Sequence, residues 1–216
     1  MDYKYAVFDL DGTLLESMRI WRKKEALLMQ DFIGTKLDED VLSHFETLMF
    51  RQAIVEAESI CGKKFDKEHY LKILHEDMKT SYADGTITLK KNAKEFLEFL
   101  KQQGVKIGVA TATPKELCVP CLKLHGIYDF FDCIFTVQEI GKSKTYPDIY
   151  EKAMNTLGGT KENTMFFEDA RYCIETLSNN GFRYTVIQDD MQIAEIDLIK
   201  EFYDKPFLED YATLIH

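Results

Sequence analysis

The sequence predicts an α/β fold, a parallel sheet flanked by helices, with a small helical domain inserted after the first strand. Short apolar runs of the kind buried on both faces of a parallel sheet recur at residues 5–8, 105–110, 133–137, 165–167 and 184–187. Helical patterns lie between them, and strands alternating with helices imply βαβ units. The first two strands lie much farther apart than the dozen or so residues a crossover needs, so something is inserted between them.

The first strand, Tyr5-Ala6-Val7-Phe8, ends at Asp9. In the insertion, Trp21, Leu28 and Phe32 share one helical stripe; Val41, Phe45, Leu48 and Gln52 share a second; and Leu71, Leu74 and Met78 share a third. These stripes put a helical domain at 16–84, which returns to the sheet through Gly85 and Leu89, and leave 1–15 and 85–216 as the main domain. Next, Ala93, Phe96, Leu97 and Leu100 follow i, i+3, i+4, i+7 spacing and are closed by Gly104. Pro147 opens a further helix, 147–157, which stops at Gly158-Gly159. The tail from Lys205-Pro206-Phe207 onward has enough apolar residues to dock but carries no motif.

Composition excludes several classes. The 216 residues are 45% apolar and 30% charged, which rules out wholesale disorder and low-complexity architecture. Charged residues interrupt every apolar run well before the roughly 18 residues of a membrane span. With 27 Lys and Arg against 37 Asp and Glu, the net charge of −10 argues against a nucleic-acid backbone as partner. The N-terminus reads as a strand rather than a signal peptide, so a cytoplasmic protein is expected. Cys61, Cys118, Cys121, Cys133 and Cys173 are odd in number and scattered, unlike a disulfide framework. Cys118-Val119-Pro120-Cys121 offers two of the roughly four ligands a structural zinc needs, so core packing is expected there.

The chemistry concentrates at strand ends. Asp9-Leu10-Asp11-Gly12-Thr13-Leu14 follows the first strand directly, and ligands of open parallel sheets bind beyond such carboxyl ends. An Asp-Gly turn accounts for Asp11 and Gly12 but poorly for Asp9. Thr111 follows the second strand, Lys144 sits in the loop after the third, and Glu168-Asp169 follow the fourth. Singly, these read as a helix N-cap, a solvated lysine and a capping pair. Together they supply acids for a metal and a nucleophile, with a hydroxyl and an ammonium for an anion.

The ordered set Asp9-x-Asp11-Gly12-Thr13, Thr111, Lys144 with Pro147-Asp148, and Glu168-Asp169 resembles the four motifs of the haloacid dehalogenase-like superfamily. The insertion resembles the helical cap of its phosphoglycolate-phosphatase and β-phosphoglucomutase branch. The resemblance implies a Rossmann-like core and a small phosphorylated metabolite as substrate. It also implies Asp9 as a nucleophile that becomes an aspartyl-phosphate, with Asp11 protonating the leaving alkoxide and then activating water. Mg²⁺ would be held by Asp9, the carbonyl of Asp11 and Asp169, with Glu168 supporting its water shell. Thr111, the backbone N–H of Ala112 at a helix start, and Lys144 would cradle the phosphoryl oxygens.

Two departures bear on the reaction. Trp21 stands where β-phosphoglucomutase-like members carry a His, which favours hydrolysis over mutase activity. Ala170-Arg171-Tyr172-Cys173 replaces the usual Ser-containing continuation of the fourth motif. A phosphatase is the leading expectation, with a sugar phosphomutase and a catalytically idle phosphometabolite-binding protein as alternatives. Ser17, Trp21 and Arg51 are the candidate substrate contacts in the cap, and a monomer or dimer is expected.

Overall fold

The computed structural model describes residues 2–215; Met1 and His216, the ends of the predicted main domain, lie outside the described residues. The strands β1 (Tyr5–Phe8), β2 (Lys106–Thr111), β3 (Cys133–Thr136), β4 (Thr164–Glu168) and β5 (Arg183–Val186) form one parallel sheet. Their order is β3-β2-β1-β4-β5, so the strand order reverses beside β1. In open parallel sheets ligands bind at such a reversal, beyond the carboxyl ends of the strands, here those of β1 and β4. The fold is the expected Rossmann-like α/β arrangement.

Four helices fill the segment between β1 and β2: α1 (Met18–Ile33), α2 (Glu39–Thr47), α3 (Phe50–Cys61) and α4 (Lys67–Ala83). Their own core gathers Leu28, Met29, Phe32, Phe45, Ala53 and Leu74. The second predicted stripe is broken. Val41 and Phe45 lie on α2 and Gln52 on α3, with Leu48 and Met49 extended between the two helices. Two polar contacts make the break: Arg22 donates to the Leu48 carbonyl at 3.1 Å, and the Met49 N–H donates to the Gln52 side chain at 3.1 Å. Gln52 is thus a capping residue, and Val41 is exposed.

The remaining helices are α5 (Ala93–Gln102), α6 (Lys115–Leu124), α7 (Val137–Ile140), α8 (Asp148–Leu157), α9 (Arg171–Asn179) and α10 (Ile196–Ile199). Val137, read as the end of a strand, instead starts α7, because Thr136 and Glu139 cap each other reciprocally. Alternation along the strands divides the core in two. Ala6, Phe8, Ile107, Val109 and Phe167 face α5 and α6, whereas Val7, Ala110 and Phe166 face α8 and α9. Both thiols of the Cys-x-x-Cys pair are buried in the first of these cores, where burial pushes each up to about 12.

The tail docks. Leu208 pairs alongside Ile187 beyond β5, and Tyr211 inserts under β1, stacked on Phe96 and close to Phe8 and Phe167. Phe167 in turn stacks on Phe8 with ring centroids 4.3 Å apart. Phe167→Ala therefore empties the centre of this cluster and is expected to cost about 3–5 kcal/mol, measured by urea unfolding. A loss within about 0.5 kcal/mol, as at a surface position, would contradict the shared core.

Candidate active site

The acids meet at the point where the strand order reverses. The Asp9 N–H donates to the Phe167 carbonyl at 3.0 Å, which carries the β1–β4 ladder one residue past the strand and brings Asp9 beside Glu168 and Asp169. Ligand oxygens of these three carboxylates lie within 4.8 Å of one another, and all three residues are buried. The turn after Asp9 is tight: the Thr13, Leu14 and Leu15 N–H groups all point at the Leu10 carbonyl. Gly12 sits there at φ +84°, and a Cβ on it would overlap the Asp169 carboxylate. Thr13 Oγ1 donates to Asp169 Oδ1 at 3.0 Å, and Tyr211 donates to the Thr13 carbonyl at 3.0 Å. A glycine and a threonine therefore both face the acid of the fourth strand.

Lys144 is the cation of this cluster. It is only 2% exposed, with Nζ 2.6 Å from Asp9 Oδ1 and 2.5 Å from Glu168 Oε1. Tyr150, on the first turn of α8, also donates to Glu168 Oε1 at 2.8 Å. Glu168 Oε2 is buried and has no partner. Burial raises Asp9 to about 7, against the pull of Lys144 and with the push of Glu168. Asp169 is likewise raised by burial, then by Asp9 and Glu168. Burial lowers Lys144, but the facing Asp9 and Glu168 outweigh it and hold the ammonium above its ordinary value.

One lysine thus pairs with two of three clustered buried carboxylates. That surplus, the all-oxygen donor set and the orphaned Glu168 Oε2 fit a hard divalent cation such as Mg²⁺. Glu168 also places an oxygen within 4.8 Å of those of Asp9 and Asp169.

Asp11 has a different environment. Its Oδ1 accepts from Ser17 Oγ at 2.6 Å and from the Tyr82 hydroxyl, and its Oδ2 accepts from Thr113 Oγ1. Ser17, the N-cap of α1, therefore commits its hydroxyl to Asp11, and Trp21 donates its indole N–H to Tyr82 at 2.9 Å. Arg51 is exposed on the first turn of α3. Thr111 ends β2, where its Oγ1 accepts the Thr113 N–H at 3.0 Å. Ala112 is not at a helix start: α6 begins three residues later at Lys115, because Pro114 sets its entry and the Thr111–Thr113 turn comes first.

Thr113, Tyr82, Tyr150 and Tyr211 escaped the sequence analysis. Only Thr113 had a signal, since it repeats after Thr111 the two-residue spacing of Asp9 and Asp11. At the rim, α9 starts normally at Arg171 despite the unusual Ala170–Cys173 run, and Tyr172 is exposed there.

The family model of haloacid dehalogenase-like hydrolases matches residues 6–187. A pyrophosphatase PpaX of Halalkalibacterium halodurans is 27% identical over 94% of this chain and 90% of its own. A phosphorylated carbohydrates phosphatase of Thermotoga maritima is 24% identical over 81% and 80%. The crystal structure of CbbY from Rhodobacter sphaeroides in complex with phosphate superposes with a TM-score of 0.74 at 22% identity, covering 98% of this chain and 96% of that one.

The charge surplus has a consequence for stability. Because Asp9 and Asp169 are raised, the cation-free folded state holds protons that the unfolded chain releases above the ordinary carboxylate range. Stability is then lost as pH rises from about 4 towards about 7. In EDTA, the melting temperature is expected to be lower at about pH 8 than at about pH 5, with saturating Mg²⁺ removing most of the difference. Equal melting temperatures in EDTA would contradict this account.

Proposed function

The chain belongs to the haloacid dehalogenase-like hydrolases, and on that premise we propose that it is a cytoplasmic, Mg²⁺-dependent phosphatase of a small phosphorylated metabolite. The observation that carries this reading is Asp9, a buried carboxylate gripped by Lys144 and set beside Asp169 at the mouth of the sheet. Relatives that include a pyrophosphatase and a phosphorylated carbohydrates phosphatase support phosphate chemistry on a small molecule. Among the described residues, no helix is long and apolar enough to cross a membrane.

Lys144 holds Asp9 Oδ1, which leaves Oδ2 to form the bond to phosphorus. The ester P–O bond breaks, and Asp11 gives its proton to the leaving oxygen. Water then attacks phosphorus and gives a proton to Asp11, and the bond to Asp9 breaks to release phosphate. Thr111 and the backbone at Ala112, at the end of the strand next to β1, would receive the phosphoryl oxygens with Lys144. Asp9 and Asp169 would hold Mg²⁺ together with the Asp11 carbonyl, with Glu168 supporting its water shell; the ion would supply positive charge for the phosphoryl oxygens.

Two features favour hydrolysis over the alternatives. Trp21 occupies the position of the mutase His, and its single donor is already used by Tyr82. The regular start of α9 keeps Asp169 in the acidic group, which favours turnover over idle binding.

Asp9→Asn should leave the protein folded and abolish hydrolysis of 4-nitrophenyl phosphate; full activity in that variant would end the assignment. Above the raised range of Asp9 and Asp169, chelation should remove affinity for inorganic phosphate as well as turnover, because the site without its cation then carries surplus negative charge against a phosphate of roughly −1.5 to −2. Phosphate affinity unchanged in EDTA would refute the charge argument.

A further inference from the structure

Asp11 is seated by hydroxyls from three separate elements. Ser17 belongs to the turn that enters α1, Thr113 to the loop after β2, and Tyr82 to the last turn of α4, 71 residues along the chain. Tyr82 is buried in the main core with Met78 and Leu14. A Phe would fill that space equally well, so the hydroxyl contributes through what it touches. It touches the Asp11 carboxylate and accepts the Trp21 indole N–H, which fixes the direction in which its own proton points. A hydroxyl that has accepted one donor has its O–H left for one acceptor, and here that acceptor is Asp11 Oδ1.

We propose that Tyr82, held by Trp21, is a positioning residue that orients the Asp11 carboxyl toward the leaving oxygen of the substrate. The proposal rests on the phosphatase reading above. In the step concerned, Asp9 bonds to phosphorus, the ester P–O bond breaks and the proton of Asp11 passes to the departing oxygen. Tyr82 neither gives nor takes a proton in this step. Its contribution is geometric: a proton transfer needs its donor at hydrogen-bond distance from the departing atom, and a carboxyl free to rotate spends less of its time there. Because Tyr82 and Trp21 lie on α4 and α1, the seat of the acid is built from the insertion as well as from the sheet.

The leaving group separates positioning from packing. Departure of 4-nitrophenolate needs little protonation, whereas departure of an alkoxide depends on it. The test measures kcat/KM, which reports the step that forms the bond to Asp9, for 4-nitrophenyl phosphate and for an alkyl phosphate that the wild-type protein turns over. Tyr82→Phe is expected to lower the alkyl phosphate value about tenfold or more, with a change of about twofold or less for the aryl phosphate. Trp21→Phe should act in the same direction and more weakly. In an Asp11→Asn background, Tyr82→Phe should add no further discrimination between the two substrates, since the pair acts as a unit.

An equal loss on both substrates, with the variant folded by its unfolding midpoint, would reduce Tyr82 to packing and overturn the proposal. So would additive effects of Tyr82→Phe and Asp11→Asn. Either result leaves the phosphatase reading intact as long as the wild-type protein is active and Asp9→Asn is not. An inactive wild-type protein would remove both.

Discussion

Three buried carboxylates held against one lysine set the terms for everything around them. Taking charges out of water is costly unless they are paired and hydrogen-bonded, and Asp9, Glu168 and Asp169 cannot all be paired by Lys144. The surrounding architecture meets part of that cost. Tyr150 donates to Glu168, Thr13 donates to Asp169, Gly12 leaves room for that same Asp169 carboxylate, and the aromatic cluster of Phe8, Phe96, Phe167 and Tyr211 packs beneath them. What remains uncompensated is one buried oxygen of Glu168 and a surplus of negative charge. A divalent cation would offset that surplus, which neutral hydrogen-bond donors cannot.

The two aspartates of the first motif show how environment divides labour between identical side chains. Asp9 lies among charges, its Oδ1 fixed by an ammonium. Asp11, two residues on, lies among hydroxyls. In the proposed roles, the ammonium pulls against burial toward the ionised form a nucleophile needs, whereas hydroxyls can accept as well as donate and so can serve a carboxyl that changes protonation during a cycle. Gly12 makes the separation possible, because its positive φ turns the chain before a second side chain could crowd the first.

Much of this was legible in the sequence, and what was missed has a physical reason. Strands buried on both faces leave continuous apolar runs, so β1, β2 and β4 were evident, and the chemistry follows them by one or two residues. Local periodicity failed where a polar contact overrode it. The break at Leu48 and Met49 depends on Arg22, far away in the chain, and on a glutamine that caps when it was read as part of a stripe. Helix α6 starts later than the residues after Thr111 suggest, because a threonine turn and Pro114 delay it. Tyr82, Tyr150 and Tyr211 could not be found at all, since a tyrosine in an apolar pattern reads as core. Only the fold reveals that its hydroxyl has reached an acid or a carbonyl of the first motif.

The bonds to Thr13 also set an order in time. Its hydroxyl is held by a residue 156 positions later and its carbonyl by one 198 positions later. The first motif therefore leaves the ribosome well before the residues that secure it. A chain interrupted in the tail would carry every residue of the chemistry and still lack the clamp on its first turn. Between those points in synthesis the polypeptide holds the acids of its first motif without the hydroxyl that Tyr211 brings to their turn.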